Sequence, residues 1–129
     1  MSDDFDAIVG DIDDELDLTL YSDAAELAEE VTVQILAAIE KGLKLKSQFH
    51  LVLTGGTLGV QISEALVQEF NADLDAFKGL HIWWSDERFV ERTSADQNSA
   101  PLLATKTNEA ITIHYVKASD EVPSIHDAV

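Results

Sequence analysis

Phe49-His50-Leu51-Val52-Leu53-Thr54-Gly55-Gly56-Thr57-Leu58-Gly59 decides how the chain reads. Phe49 to Thr54 is short and apolar and stops at a glycine pair, the pattern of a buried strand that feeds a turn. Beyond the turn, Val60, Ile62, Leu66 and Phe70 fall mostly on one side of a helix predicted over residues 57–70. A strand, a glycine turn and a helix in that order are the start of a parallel α/β unit.

The same alternation extends in both directions. Upstream, Leu27, Val31, Ile35, Ile39 and Leu43 recur every four residues, a helical ridge that should face a core. Ser22 or Asp23 can cap that helix, and Asp23 with Glu26 has capping-box spacing. Lys41, Lys44 and Lys46 suit the negative end of its dipole. Before it, residues 16–21 (LDLTLY) alternate as a strand does. Downstream, residues 80–85 (LHIWWS) predict a strand, residues 86–94 a charged loop and residues 98–106 a short helix. Pro101 is tolerable only in the first turn of that helix. Residues 111–116 (ITIHYV) predict a last strand. Four strands alternating with three helices predict an open parallel sheet with helices on both faces, a Rossmann-like α/β fold that stops short at its C-terminus. Half a sheet of this kind exposes an edge and an apolar surface, so self-association through that edge is expected.

Composition narrows the function. The chain has 129 residues, 46 % of them hydrophobic and 26 % charged, which suits one globular domain with a real core. Eight basic residues against twenty-five acidic ones give a formal charge of −17, which argues against nucleic-acid and anionic-membrane partners. Cysteine is absent, which removes disulfides, a thiol nucleophile and thiolate metal sites. No apolar run is long enough to span a membrane, and residues 1–15 lack the basic and apolar regions of a signal peptide, so a cytoplasmic protein is expected. Twelve carboxylates and no Lys or Arg fall between Met1 and Glu30, which reads as a solvated acidic leader. His50, His81, His114 and His126 lack zinc-binding spacing. Ser63, Ser85 and Ser99 lack a nucleophile-elbow context. Trp83 and Trp84 are adjacent on a strand and should face opposite sides.

Two loops fall where ligands bind such sheets, outside the carboxyl ends of the strands. Thr54-Gly55-Gly56-Thr57 opens a helix, whose free N–H groups and Thr57 hydroxyl can cradle a phosphate. The same residues also make an ordinary tight turn. Ser85-Asp86-Glu87-Arg88-Phe89-Val90 puts three charged groups at the mouth of the next strand. Arg88 can reach the same anion, or it can pair with Glu87 and end the strand. Arg88 and Arg92 are the chain's two arginines, four residues apart; together they offer a planar fork for phosphate or carboxylate, or a surface salt-bridge pair.

At these loops the sequence resembles the 6-phosphogluconolactonase family. The family pattern is a strand ending in Ser-Gly-Gly-Ser/Thr-Thr-Pro, a strand ending in Trp-x-Asp-Glu-Arg-x-Val, and a later Ser-Asn pair. Here these stand as Thr54-Gly55-Gly56-Thr57-Leu58-Gly59, Trp84-Ser85-Asp86-Glu87-Arg88-Phe89-Val90 and Gln97-Asn98. Leu58-Gly59 replaces Thr-Pro, and Gln97 replaces Ser. The resemblance implies that Gly55, Gly56, Thr57 and Arg88 hold the phosphate of a phosphosugar. It further implies that Thr54, Trp84, Glu87 and Asn98 line the pocket and that Asp86 supports catalysis. The implied activity is hydrolysis of 6-phospho-glucono-1,5-lactone to 6-phosphogluconate in the oxidative pentose phosphate pathway, with no metal and no other cofactor. Related deaminases usually carry Tyr or Phe where Arg88 stands, so Arg88 favours the lactonase branch. The family is roughly twice as long, and its second half carries a Gly-x-Gly-x-Asp-Gly-His motif that this sequence lacks. Residues 1–15 are then a flexible leader and residues 16–129 the N-terminal portion of one phosphosugar-binding domain, inactive alone. A non-catalytic phosphosugar-binding module and an isomerase or deaminase of the same fold are the alternatives.

Overall fold

A computed structural model of the chain describes residues 18–104 and 107–128. The acidic leader assigned to residues 1–15 lies outside them. Helix α1 spans Ala24–Leu45. It starts where sequence chemistry places it: the Asp23 carboxylate accepts from the Glu26 N–H at 2.8 Å. The Glu26 side chain reaches back to the Ser22 hydroxyl, so the two ends of the cap are tied together. The buried stripe of α1 runs through Ala28, Thr32 and Ile39, with Ile35 and Leu43 half-buried beside it. This is the expected ridge rotated slightly toward small residues. Thr32 is tolerated there because its hydroxyl donates to the Ala28 carbonyl at 2.7 Å.

Strand β1 (Phe49–Leu53), helix α2 (Gly56–Ala72), strand β2 (Leu80–Trp84), helix α3 (Ala100–Ala104), strand β3 (Thr112–Ile113) and a 3₁₀ turn (Ile125–Ala128) follow. The sheet is parallel, in the order β1-β2-β3. Phe49 lies opposite Leu80 and Leu53 opposite Trp84, and Ile82 pairs with Ile113. No helix among the described residues is long and apolar enough to cross a membrane.

The period-two rule sorts the strand side chains cleanly. Leu53, Leu80, Ile82 and Trp84 are buried, and Phe49 and Leu51 pack beside them. Ile39 of α1, Leu66, Val67 and Phe70 of α2, and Leu102 of α3 close over this face. Burying side chains of this size stabilises by roughly 1.5–3 kcal/mol each. The sequence reading places helices on both faces, whereas the described helices pack on one. The topology explains this. Both connections step in the same direction across the sheet, and right-handed crossovers then put α2 and α3 on the same side. On the other face, His50 and His81 stack at 4.6 Å and Trp83 lies flat on His114 at 3.7 Å. Trp83 Nε1 donates to His50 Nδ1 at 3.0 Å. The two tryptophans therefore do face opposite sides, with Trp84 in the core.

Three expectations need correction. Leu16 and Asp17 lie outside the described residues, and residues 18–21 form no strand; Leu18 and Leu20 are exposed. Alternation suits a strand but does not supply a sheet edge, and these residues have no ladder partner among the described ones. The last strand is two residues rather than six. Pairing carries only as far as the His114 N–H, which donates to the Ile82 carbonyl, and the Val116 carbonyl is taken by Arg92 instead. The short helix begins at Ala100 rather than Asn98, with Pro101 in its first turn as expected. Its end is tied indirectly: Asn108, in the turn before β3, donates through Nδ2 to the carbonyls of Phe70 and Leu74 and so fastens α2 to that turn.

Candidate functional site

The site lies at the carboxyl ends of β1 and β2. There β1 passes through Thr54 into Gly55, the N-cap position of α2, which supplies no side-chain cap. Gly56 follows with φ +80°, a left-handed conformation that favours glycine. The first-turn N–H groups of α2 are thus not capped by a side chain, and they sit at the positive end of the helix dipole. Gly55 is required for a different reason. A Cβ there would lie 2.1 Å from Asn98 Oδ1, so the glycine loop and the Asn98 turn touch directly.

Beside this helix end is a hollow of about 670 Å³, whose walls include Gly56, Thr57, Gln61, Glu64, Arg88, Asp96 and Asn98. Arg88 is exposed, and its guanidinium makes no hydrogen bond or ion pair among the described residues. The Oε1 of Gln61 is buried with no partner. One wall is therefore cationic and rich in N–H donors, while the other carries acceptors. Such a surface suits an anion that also bears hydroxyl groups.

The residues singled out from sequence divide three ways. Gly56, Thr57, Arg88 and Asn98 share this hollow. Trp84, Asp86 and Glu87 line a second hollow of about 430 Å³ on the other side of Arg88, which borders both. Thr54 and Gly55 line neither; they shape the turn. Asp86 is exposed, with Ser85 Oγ donating to its carboxylate at 3.4 Å, and its carbonyl accepts from Asn98 Nδ2 at 3.1 Å.

The expectation for Glu87 needs refinement. It borders the second hollow, but its carboxylate is directed at backbone. It accepts from the N–H groups of Arg88 at 2.8 Å, Asn98 at 2.5 Å and Ser99 at 3.1 Å. Its carboxylate makes no ion pair with the Arg88 guanidinium among the described residues. It clamps the loop after β2 to the turn before α3.

The two arginines also part company. Arg92 donates to both carboxylate oxygens of Glu121, at 3.0 and 2.6 Å, and its guanidinium lies 4.9 Å from the centre of the Tyr115 ring. The hydrogen bonds from Arg92 and from the Ala118 N–H hold the Glu121 carboxyl down at about 2. Hydrogen bonding to Glu121 raises the Arg92 pKa further, and burial raises that of Tyr115. Arg92 is thus a fastened salt-bridge residue, while the Arg88 guanidinium has no partner among the described residues.

Gln61, Glu64 and Asp96 are wall residues the sequence reading did not single out. Two of them had a signal: Thr57, Gln61 and Glu64 are spaced four and three apart and share one helix face. Asp96 had none, because a loop has no period.

Comparison with known proteins identifies the family. The family model for glucosamine-6-phosphate isomerases/6-phosphogluconolactonase matches residues 22–128. A 6-phosphogluconolactonase of Streptomyces coelicolor is 26 % identical over 107 residues, which are 80 % of this chain and 41 % of that protein. A crystal structure from Neisseria gonorrhoeae, assigned as a 6-phosphogluconolactonase, superposes with a TM-score of 0.62 at 27 % identity over 79 % of this chain and 46 % of that one. A 6-phosphogluconolactonase structure from Shewanella baltica, 16 % identical, shares the fold with a TM-score of 0.59 over 75 % of this chain and 41 % of that one. The chain therefore spans less than half the length of these relatives. With the family pattern matched across all but the first residues, the chain belongs to the glucosamine-6-phosphate isomerase/6-phosphogluconolactonase family.

Proposed function

We propose that residues 16–129 are the N-terminal, phosphate-holding portion of a 6-phosphogluconolactonase. The observation that carries this reading is the unpaired Arg88 guanidinium on the wall of the same hollow as the uncapped start of α2. The phosphate of 6-phospho-glucono-1,5-lactone sits between the N–H groups of Gly56 and Thr57, in the turn that Gly55 shapes, on one side and Arg88 on the other. Anchoring a remote phosphate orients the lactone carbonyl, so its binding energy contributes to the chemical step.

In the reaction, a water oxygen attacks the lactone carbonyl carbon and the carbonyl oxygen becomes an oxyanion. The bond from that carbon to the ring oxygen then breaks, and the ring oxygen leaves as a hydroxyl after taking up a proton. Asp86, beside Arg88, supports the sugar end. The histidine that the family resemblance implies as base for the water belongs to a Gly-x-Gly-x-Asp-Gly-His motif that is absent from this sequence, and the carboxylates on the wall, Glu64 and Asp96, stand on the phosphate side of the hollow. Residues 16–129 therefore bind without turnover when alone, and turnover needs the rest of the fold.

Titration with 6-phosphogluconate tests the reading: saturable binding is expected, and Arg88→Ala should weaken it by about 10- to 100-fold. Undiminished binding in that variant overturns the assignment. Ammonia release from glucosamine 6-phosphate by a full-length chain would favour the deaminase branch instead.

A further inference from the structure

Gln97 carries four side-chain hydrogen bonds at the edge of the site. It borders the same hollow as Arg88 but is only 1 % exposed, and both ends of its amide are taken by the protein. Its Nε2 donates to the Arg88 carbonyl at 2.9 Å and to the Val90 carbonyl at 3.3 Å. Its Oε1 accepts from Arg92 Nη1 at 2.9 Å and from Ser99 Oγ at 3.3 Å. The Arg88 carbonyl also accepts from the Val90 N–H at 2.9 Å, so both of its lone pairs are engaged. The Arg88 backbone is consequently pinned in a tight turn while its side chain stays free.

Behind Gln97 stands the arginine that the anion site does not use. Arg92 is held by Glu121 and by the Val116 carbonyl, and its N–H donates to Asp120 at 3.0 Å. A continuous set of hydrogen bonds thus runs from the turn at 116–121, through Arg92 and Gln97, to the backbone of Arg88.

We propose that Gln97 is the positioning residue for Arg88, with the Arg92–Glu121 pair as its support, and that it acts on anion binding only through Arg88. This rests on the reading that Arg88 holds the phosphate.

The test is a double-mutant comparison on the 129-residue chain, with 6-phosphogluconate as ligand and backbone ¹⁵N relaxation as a second readout. Gln97→Met keeps the volume and removes all four bonds. It should weaken binding about tenfold and lower the order parameters of residues 88–90, leaving those of the α2 start unchanged. In an Arg88→Ala background, measured at millimolar ligand, it should cost nothing further. Equal losses in both backgrounds mean that Gln97 acts on the ligand directly, and they overturn the proposal. So does unchanged affinity in Gln97→Met while Arg88→Ala still loses binding; that result leaves the phosphate reading intact. If Arg88→Ala binds as well as the unaltered chain, the phosphate reading itself fails and takes this inference with it. Should Gln97→Met not fold, Gln97→Glu carries the same comparison, because it keeps the shape and loses the donor to Arg88 and Val90.

Discussion

Replacing Gly55 with alanine isolates the contact that joins the two loops. The glycine has φ −92°, which any residue adopts, so alanine carries no backbone strain there. By restricting the unfolded chain, Gly→Ala at a compatible site stabilises by about 0.4–1 kcal/mol. Against that, the new Cβ would lie 2.1, 2.4 and 2.7 Å from Oδ1, Cγ and Nδ2 of Asn98. Asn98 cannot swing away freely. It is buried, its Nδ2 is bonded to the Asp86 carbonyl and its N–H to Glu87. Overpacking of this kind costs about 1–3 kcal/mol, so the clash outweighs the entropy gain and Gly55→Ala should destabilise by about 1–2 kcal/mol. Urea unfolding measures this directly. The decisive arm is the Asn98→Ala background. With the amide gone, Gly55→Ala should become neutral or slightly stabilising. An equal loss in both backgrounds would refute the reasoning, because the cost would then come from the turn itself and not from the Gly55–Asn98 contact.

Arg88→Ala removes a guanidinium that makes no hydrogen bond or ion pair among the described residues, so stability should stay within about 0.5 kcal/mol while 6-phosphogluconate affinity falls by about 10- to 100-fold, as read by calorimetry. Glu121, held at about 2 against 4.5 when free, contributes stability that is present above pH 4.5 and lost as pH falls toward 2; Glu121→Gln should remove that part of the acid dependence in denaturation curves. The His81 pKa is lowered by desolvation and by His50 and His114, so its contribution is intact above 6.5 and lost as pH falls through its folded value; His81→Phe should flatten that segment of the profile. Leu66→Ala empties a site with no solvent exposure and should cost about 2–5 kcal/mol in urea unfolding.

How much of this was legible beforehand depended on whether a residue's role is set by its own neighbours in sequence. The α1 stripe, the Asp23 cap, β1, β2 and the turn at Gly55-Gly56 are local patterns, and each appears where the sequence places it. Residues 18–21 alternate just as well, yet strand formation needs a partner edge, which alternation does not encode. The roles of Glu87 and Arg92 were hidden for the same reason. Asn98 and Ser99 lie 11 and 12 residues from Glu87, and Glu121 lies 29 from Arg92, so only the folded chain shows that one carboxylate serves these backbone N–H groups and one guanidinium serves Glu121. Arg88 could be recognised as a candidate but not separated from Arg92. What separates them is the absence of a partner for one among the described residues. Gln97 was visible only as a departure from a pattern, and its bonds give that departure a purpose.

The central claim is that the hollow between the start of α2 and Arg88 receives a sugar phosphate. Amide NMR shifts of the 129-residue chain during titration with 6-phosphogluconate test it most directly. Saturable shifts at Gly55, Gly56, Thr57 and Arg88, weakened in Arg88→Ala, are the expected result. No shifts at millimolar ligand, or shifts confined to the His50–Trp83 face of the sheet, would contradict the account.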